Sequence, residues 1–144
     1  MLYAFLCYHD EDAVFAWSQA HDEAVMTALH KVHAPLEKAG RFGPTARLMP
    51  TTAATTLRKD TDPPQVLDGP YAETKEQLLG FYVIECADLE AALDVARDLA
   101  KANPGGAYEV RPVRGFYPGN LSGDTSGAAE ARLPGENPRT GRTS

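Results

Sequence analysis

Three histidines, His21, His30 and His33, fall in one stretch with a helical apolar pattern. A carboxylate, Asp68, opens the run Asp68-Gly69-Pro70-Tyr71-Ala72-Glu73-Thr74-Lys75-Glu76 further along. Imidazole changes charge near an ordinary pKa of about 6.5, which makes it the natural general acid or base at neutral pH. A carboxylate beside it orients the ring and raises its pKa. Asp68-Gly69-Pro70 also has the composition of a turn, in which an Asp carboxylate commonly bonds a backbone N–H two residues on. One carboxylate can serve both ends, and position in the chain does not separate them.

The histidines differ in placement. With Leu29 at the centre of the apolar stripe, His33 lies about 40° away and His30 about 100° away, at 100° per residue. His33 is therefore at the edge of the core face, where it can look into a cleft against a sheet, and is the better acid–base partner for Asp68. His30 is nearer the rim and is a ligand-binding candidate. The commoner role of such residues is a half-buried histidine without chemistry. Arg58 and Tyr71 are candidates to meet an anionic or carbonyl group, and Tyr82 and Tyr108 offer further phenols whose usual role is packing. His30, His33 and Glu37 stand at i, i+3 and i+7, but the His-Glu-x-x-His pattern is absent, so no metal is expected. Glu73, Lys75 and Glu76 read as a solvated charge cluster. No Gly-x-Ser-x-Gly elbow, phosphate loop or dinucleotide glycine pattern occurs, and no cofactor is implied.

The elements that must position these residues follow from period. Leu2–Tyr8 is a continuous apolar run, a buried strand by length and flanks. One helix is predicted over residues 13–39, with Val14, Ser18, Val25, Leu29, Val32 and Leu36 on one side and a kink or break just before Pro35. Gly40 ends it. Strands are predicted at 42–48, 53–58, 65–68 and 78–86. Asp88 then caps a helix over 89–102, whose stripe is Leu89, Leu93, Ala96 and Ala100, and a last strand covers 108–113. The order predicts an α+β fold, a ferredoxin-like split βαβ sheet with both helices on one face. The strands are apolar on both sides, which predicts a homodimer packed sheet to sheet. Trp17, on the outer side of the first helix, reads as a surface or dimer contact.

Composition bounds the rest. The 144 residues carry 14 Lys plus Arg against 20 Asp plus Glu, a net charge of −6. No basic cluster is present, so nucleic acid and anionic membrane surface are excluded as partners. No apolar run approaches the roughly 20 residues of a membrane span, and the N-terminus has no signal-peptide pattern. Cys7 and Cys86 sit in apolar strands and read as buried thiols of a reducing cytoplasm. Residues 1–117 form the domain. Residues 118–144 are a tail, with 16 of 27 positions Gly, Pro, Ser, Thr or Asn, too polar to order itself and expected to be flexible or packed on a partner.

The run Asp68–Glu76 resembles the Asp-Gly-Pro-Phe-Ala-Glu-Thr-Lys-Glu signature of the DGPF-type branch of the YCII-related family, with Tyr71 in place of Phe. Further landmarks keep register: Tyr8-His9-Asp10-Glu11, Leu36-Glu37-Lys38-Ala39-Gly40, Thr55-Thr56-Leu57-Arg58, Gln77-Leu78-Leu79-Gly80-Phe81-Tyr82 and Glu109-Val110-Arg111-Pro112-Val113. His9 stands where Gly is common. The resemblance implies a dimeric α+β barrel and a His–Asp pair in a cleft between helix and sheet. It implies a small carbonyl or lactone-type compound as ligand. Its gene-neighbourhood habit implies, as an alternative, a non-catalytic partner in an extracytoplasmic-function sigma factor pathway.

Overall fold

The computed structural model describes residues 1–121. Most of the tail predicted at 118–144 lies outside the described residues. The chain forms two compact units, one from Met1–Arg47 with Glu76–Gly119, the other built on Leu48–Lys75.

The first unit holds strands β1 (Leu2–His9), β2 (Phe42–Arg47), β5 (Gln77–Glu85) and β6 (Ala107–Pro112), with helices α1 (Glu11–Phe15), α2 (Gln19–Lys38) and α3 (Leu89–Ala102). Its sheet runs β2-β5-β1-β6, antiparallel throughout. Each long helix crosses over one intervening strand: α2 carries the chain from β1 to β2 past β5, and α3 carries it from β5 to β6 past β1. This α+β order is compatible with the ferredoxin-like arrangement read from the sequence.

Strand side chains alternate between faces, and burial follows. Tyr3, Phe5, Tyr82 and Ile84 are buried, while Leu2, Ala4, Leu6, Phe81 and Val83 on the alternate positions are half-buried. Phe5 pairs with Tyr82 on one side and Val110 on the other, so the buried face is continuous across three strands. Leu29 and Leu36 of α2 and Ala92 and Leu99 of α3 complete the core. Fully burying side chains such as Phe5, Ile84 and Leu99 stabilises the fold by about 1.5–3 kcal/mol each.

Three expectations about the helices need correction. The single helix over 13–39 is two: the Ser18 backbone is extended and its Oγ accepts the His21 N–H at 3.0 Å. Ser18 is therefore an N-cap and not a stripe residue, because its hydroxyl satisfies an amide that an interior serine would leave to the backbone ladder. Pro35 does not break α2, which continues to Lys38. Its ring removes one bond, to the Lys31 carbonyl. The last turn is closed instead by Ala39 N–H on Pro35, Gly40 N–H on Glu37 and Arg41 N–H on Leu36, a Schellman ending with Gly40 at φ 69°. In α3 the buried positions are Ala92 and Leu99, and Leu89 is 49% exposed. Glu90, Asp94, Arg97, Asp98 and Lys101 share one side of the helix, and the apolar arc opposite them is centred on Ala92 and Leu99, so the Leu89 stripe lies at the edge of that arc and not at its middle.

The second unit contains a 3₁₀ turn (Thr51–Ala53) and a hairpin, β3 (Thr55–Arg58) with β4 (Gln65–Asp68). The strand predicted from residue 53 thus starts two residues later. Cys7 and Cys86 are both free thiols, Cys86 buried and Cys7 half-buried.

Two left-handed glycines give a test of the packing. A Cβ on Gly40 (φ 69°) would meet nothing within 4 Å, whereas one on Gly106 (φ 75°) would overlap the Tyr8 carbonyl oxygen. Gly40→Ala should cost about 1–2 kcal/mol, the left-handed term alone. Gly106→Ala should cost at least about 1 kcal/mol more from overpacking. Urea denaturation of the two variants checks this, and equal losses would mean the Gly106 loop yields freely.

Candidate functional site

α2 buries Leu29, His33 and Leu36, positions 4 and 7 apart on one helical face. His33, at 5% exposure, is the buried polar side chain of the described core. The sequence places it at a cleft edge; the structure seats it inside. Its Nε2 lies 3.1 Å from the Tyr82 hydroxyl. Its ring stacks at 31° and 4.7 Å on Phe42 and meets Tyr82 edge-on at 5.2 Å. Phe42 and Tyr82 also touch, 5.9 Å between centroids. A helix residue, the first residue of β2 and the middle of β5 thus form an aromatic box around one hydrogen bond.

The electrostatics hold both partners neutral. Burial pushes the His33 pKa below its ordinary value, the His30 charge pushes the same way, and Glu37 opposes them. Burial raises the Tyr82 phenol, helped by Tyr108 and Cys7 and opposed by the Arg47 guanidinium. Burial also pushes the Cys7 thiol to about 12, and burial with Cys7 pushes the Tyr108 phenol to about 12. Neutral imidazole and neutral phenol can share a proton in either direction, the ring tautomer deciding which group donates. Arg47, at the end of β2 away from Phe42, donates to both oxygens of Asp22, at 2.6 and 3.3 Å, and so ties β2 to the first turn of α2.

His30 is exposed on α2, its ring 5.6 Å from His33. The other candidates belong to the second unit. Asp68 ends β4, and its carboxylate accepts no hydrogen bond among the described residues. The turn after it is closed by main chain and Thr56: Gly69 N–H donates to Ala54 at 2.8 Å, and the Thr56 hydroxyl donates to the Gly69 carbonyl at 2.8 Å. The carboxylate is therefore not spent on an Asx turn. Arg58 donates from Nε and Nη2 to Asp60 at 3.3 and 2.7 Å, and its guanidinium lies 5.6 Å over the Tyr71 ring, which is 79% exposed. The structure thus groups His33 with His30, and Arg58 with Tyr71. The hydrogen bond of His33 goes to Tyr82, and Asp68 stands in the other unit. Among the described residues no three His, Cys, Asp or Glu side chains cluster to hold a metal ion.

The sequence offers Tyr82 as a phenol for a ligand or for packing; the structure makes it the partner of His33. The available signal was strand alternation: Tyr82 shares parity with the apolar Ile84, which places both on the helix side. Phe42 carried no chemical signal.

A family model described as the YCII-related domain matches residues 1–117. The chain is 58% identical over 122 residues to an uncharacterized protein of Rhizobium meliloti (strain 1021), a match covering 84% of this chain and 98% of that protein.

The buried imidazole makes stability depend on pH in a definite direction. Folded His33 resists protonation, so below about pH 6.5 the unfolded chain binds more protons and stability falls as pH drops toward the folded pKa. Above about 6.5 both states hold it neutral and this dependence vanishes. Chemical denaturation at pH 7.5 and 5 should show the loss, and His33→Gln should shrink it. A loss undiminished in His33→Gln would assign it to other groups. Tyr82→Phe, which strands Nε2, should cost about 1–2 kcal/mol at pH 7.5.

Proposed function

The chain belongs to the YCII-related domain family, and on that premise we propose that it is a small-molecule-binding, enzyme-like protein whose proton-moving pair is His33 and Tyr82. The observation that carries this reading is the 3.1 Å contact between two buried groups, each held in its neutral form. A neutral imidazole at pH 7 is a base ready to accept a proton from carbon beside a carbonyl. A neutral phenol is a donor ready to hydrogen-bond the oxygen where charge develops. Small enolisable carbonyl compounds or lactones match that chemistry. His33 is nearly closed off, so on this reading a ligand reaches it by a local opening of the box formed with Phe42 and Tyr82.

The signature run Asp68–Glu76 supports assignment to the DGPF-type branch. The unengaged carboxylate of Asp68 and the exposed Arg58–Tyr71 stack suit recognition of a polar or anionic ligand group. Two copies packed through the half-buried face that carries Leu2, Ala4, Leu6, Phe81 and Val83 would close the dimeric barrel. Free thiols suit a cytoplasmic setting.

An NMR pH titration of the histidine rings tests the pair. His33 should titrate below the ordinary histidine value of about 6.5 and move in Tyr82→Phe, and a His33 resonance indifferent to Tyr82→Phe would sink the pair. The same titration in Asp68→Asn tests the His–Asp alternative, since a shift there would bring Asp68 back as the orienting carboxylate. Against a panel of small lactones and enolisable ketones, line broadening in the wild type should vanish in His33→Ala. Ligand responses that survive both His33→Ala and Asp68→Ala would end the enzyme-like reading and leave the sigma factor pathway partner. Sedimentation at micromolar concentration should show a dimer that Leu6→Asp splits; a wild-type monomer would exclude the barrel.

A further inference from the structure

The C-terminal halves of α2 and α3 leave a groove of about 610 Å³ between them, remote in chemistry from the histidine box. Its floor is apolar, with Val32 and Leu36 from α2 facing Val95 and Ala102 from α3, and its rim carries Lys31, Arg41 and Lys101 against the single carboxylate of Asp98. Three cations to one anion is the reverse of a chain whose net charge is −6. Nor are the cations spent internally. Lys31 and Lys101 pair with no carboxylate among the described residues. Arg41 is pinned by its Nε–H on the Glu85 carbonyl at 2.9 Å and by Nη2 on the Cys86 sulfur at 3.9 Å, which leaves Nη1 without a protein acceptor among those residues. A rim that served solubility alone would follow the acidic bias of the rest of the chain.

The geometry points to a docking site for an amphipathic helix with acidic residues flanking its apolar stripe, supplied by another protein. Two features select that occupant. The groove is open along its length, whereas sites for small ligands enclose roughly 70–90% of the ligand surface. A third helix laid between two others buries an apolar stripe in such a groove, and its flanks then meet the rim. The rim is cationic, so those flanks must be Glu or Asp, and complementary charge sets both selectivity and approach.

The test uses a helical peptide of about 18 residues, roughly 27 Å long, with Leu at helical i, i+3, i+4, i+7 spacing, Glu beside the stripe and Ala elsewhere. Titrated into the isotope-labelled full chain, it should shift the backbone amides of Val32, Val95 and Ala102. Its dissociation constant should rise with salt and rise about tenfold or more in Lys31→Glu/Lys101→Glu. Circular dichroism confirms that the double variant is folded, and Lys31→Gln/Lys101→Gln, with a smaller rise, guards against a fold defect. Three results overturn the proposal: no shift at these amides up to millimolar peptide, equal binding of the version with Lys in place of Glu, or decanoate shifting the same amides more strongly than the peptide.

Discussion

The arrangement of the first unit turns on one buried polar contact. His33 stands where α2 is otherwise leucine, and an imidazole nitrogen placed there without a partner would cost roughly 1–3 kcal/mol. Tyr82 supplies the partner from the middle of β5. That contact is met at one rotation of α2 over the sheet, because turning the helix by one residue would carry His33 about 100° away from the phenol. Phe42 then closes the third side, which sets where β2 must begin. To the close packing of the apolar seam this contact adds a directional requirement, a hydrogen bond 3.1 Å long.

The same contact links fold to chemistry. Burial is what keeps the imidazole neutral and the phenol protonated, so the forces that stabilise the core also prepare a base and a donor side by side. Function and stability pull in opposite directions at this point. On the proposed reading a ligand gains the pair only by opening the aromatic box, which gives up some of the burial that keeps both groups neutral.

Much of the fold was legible in the residues. The strand runs to within one or two residues at their ends, the Asp88 cap, the Gly40 stop and the strand Gln65–Asp68 stand where local chemistry puts them, because caps, turns and alternation are short-range effects. The errors share a cause. Ser18 was read as part of a stripe because period alone cannot tell an interior serine from a cap. Pro35 was read as a break because its missing N–H is visible in sequence, while the burial of Leu29, His33 and Leu36 on either side of it is not. The predicted stripe of α3 runs along the edge of its apolar arc, whose middle, opposite the charged side, is Ala92 and Leu99.

For the site, the residue types identified His33 as the histidine closest to the core, and Arg58 with Tyr71 as neighbours worth naming. They did not identify its partner. The signature at Asp68 drew attention to a carboxylate, whereas the group within hydrogen-bonding distance is a phenol from a strand 49 positions away in the chain. Sequence determined the element types, the family and the acidic character, since each is written in local pattern or summed charge. Tertiary structure alone decided which polar groups share a desolvated space, because that depends on strand register and helix rotation. These are set by the packing of the whole core and by no single stretch of the chain.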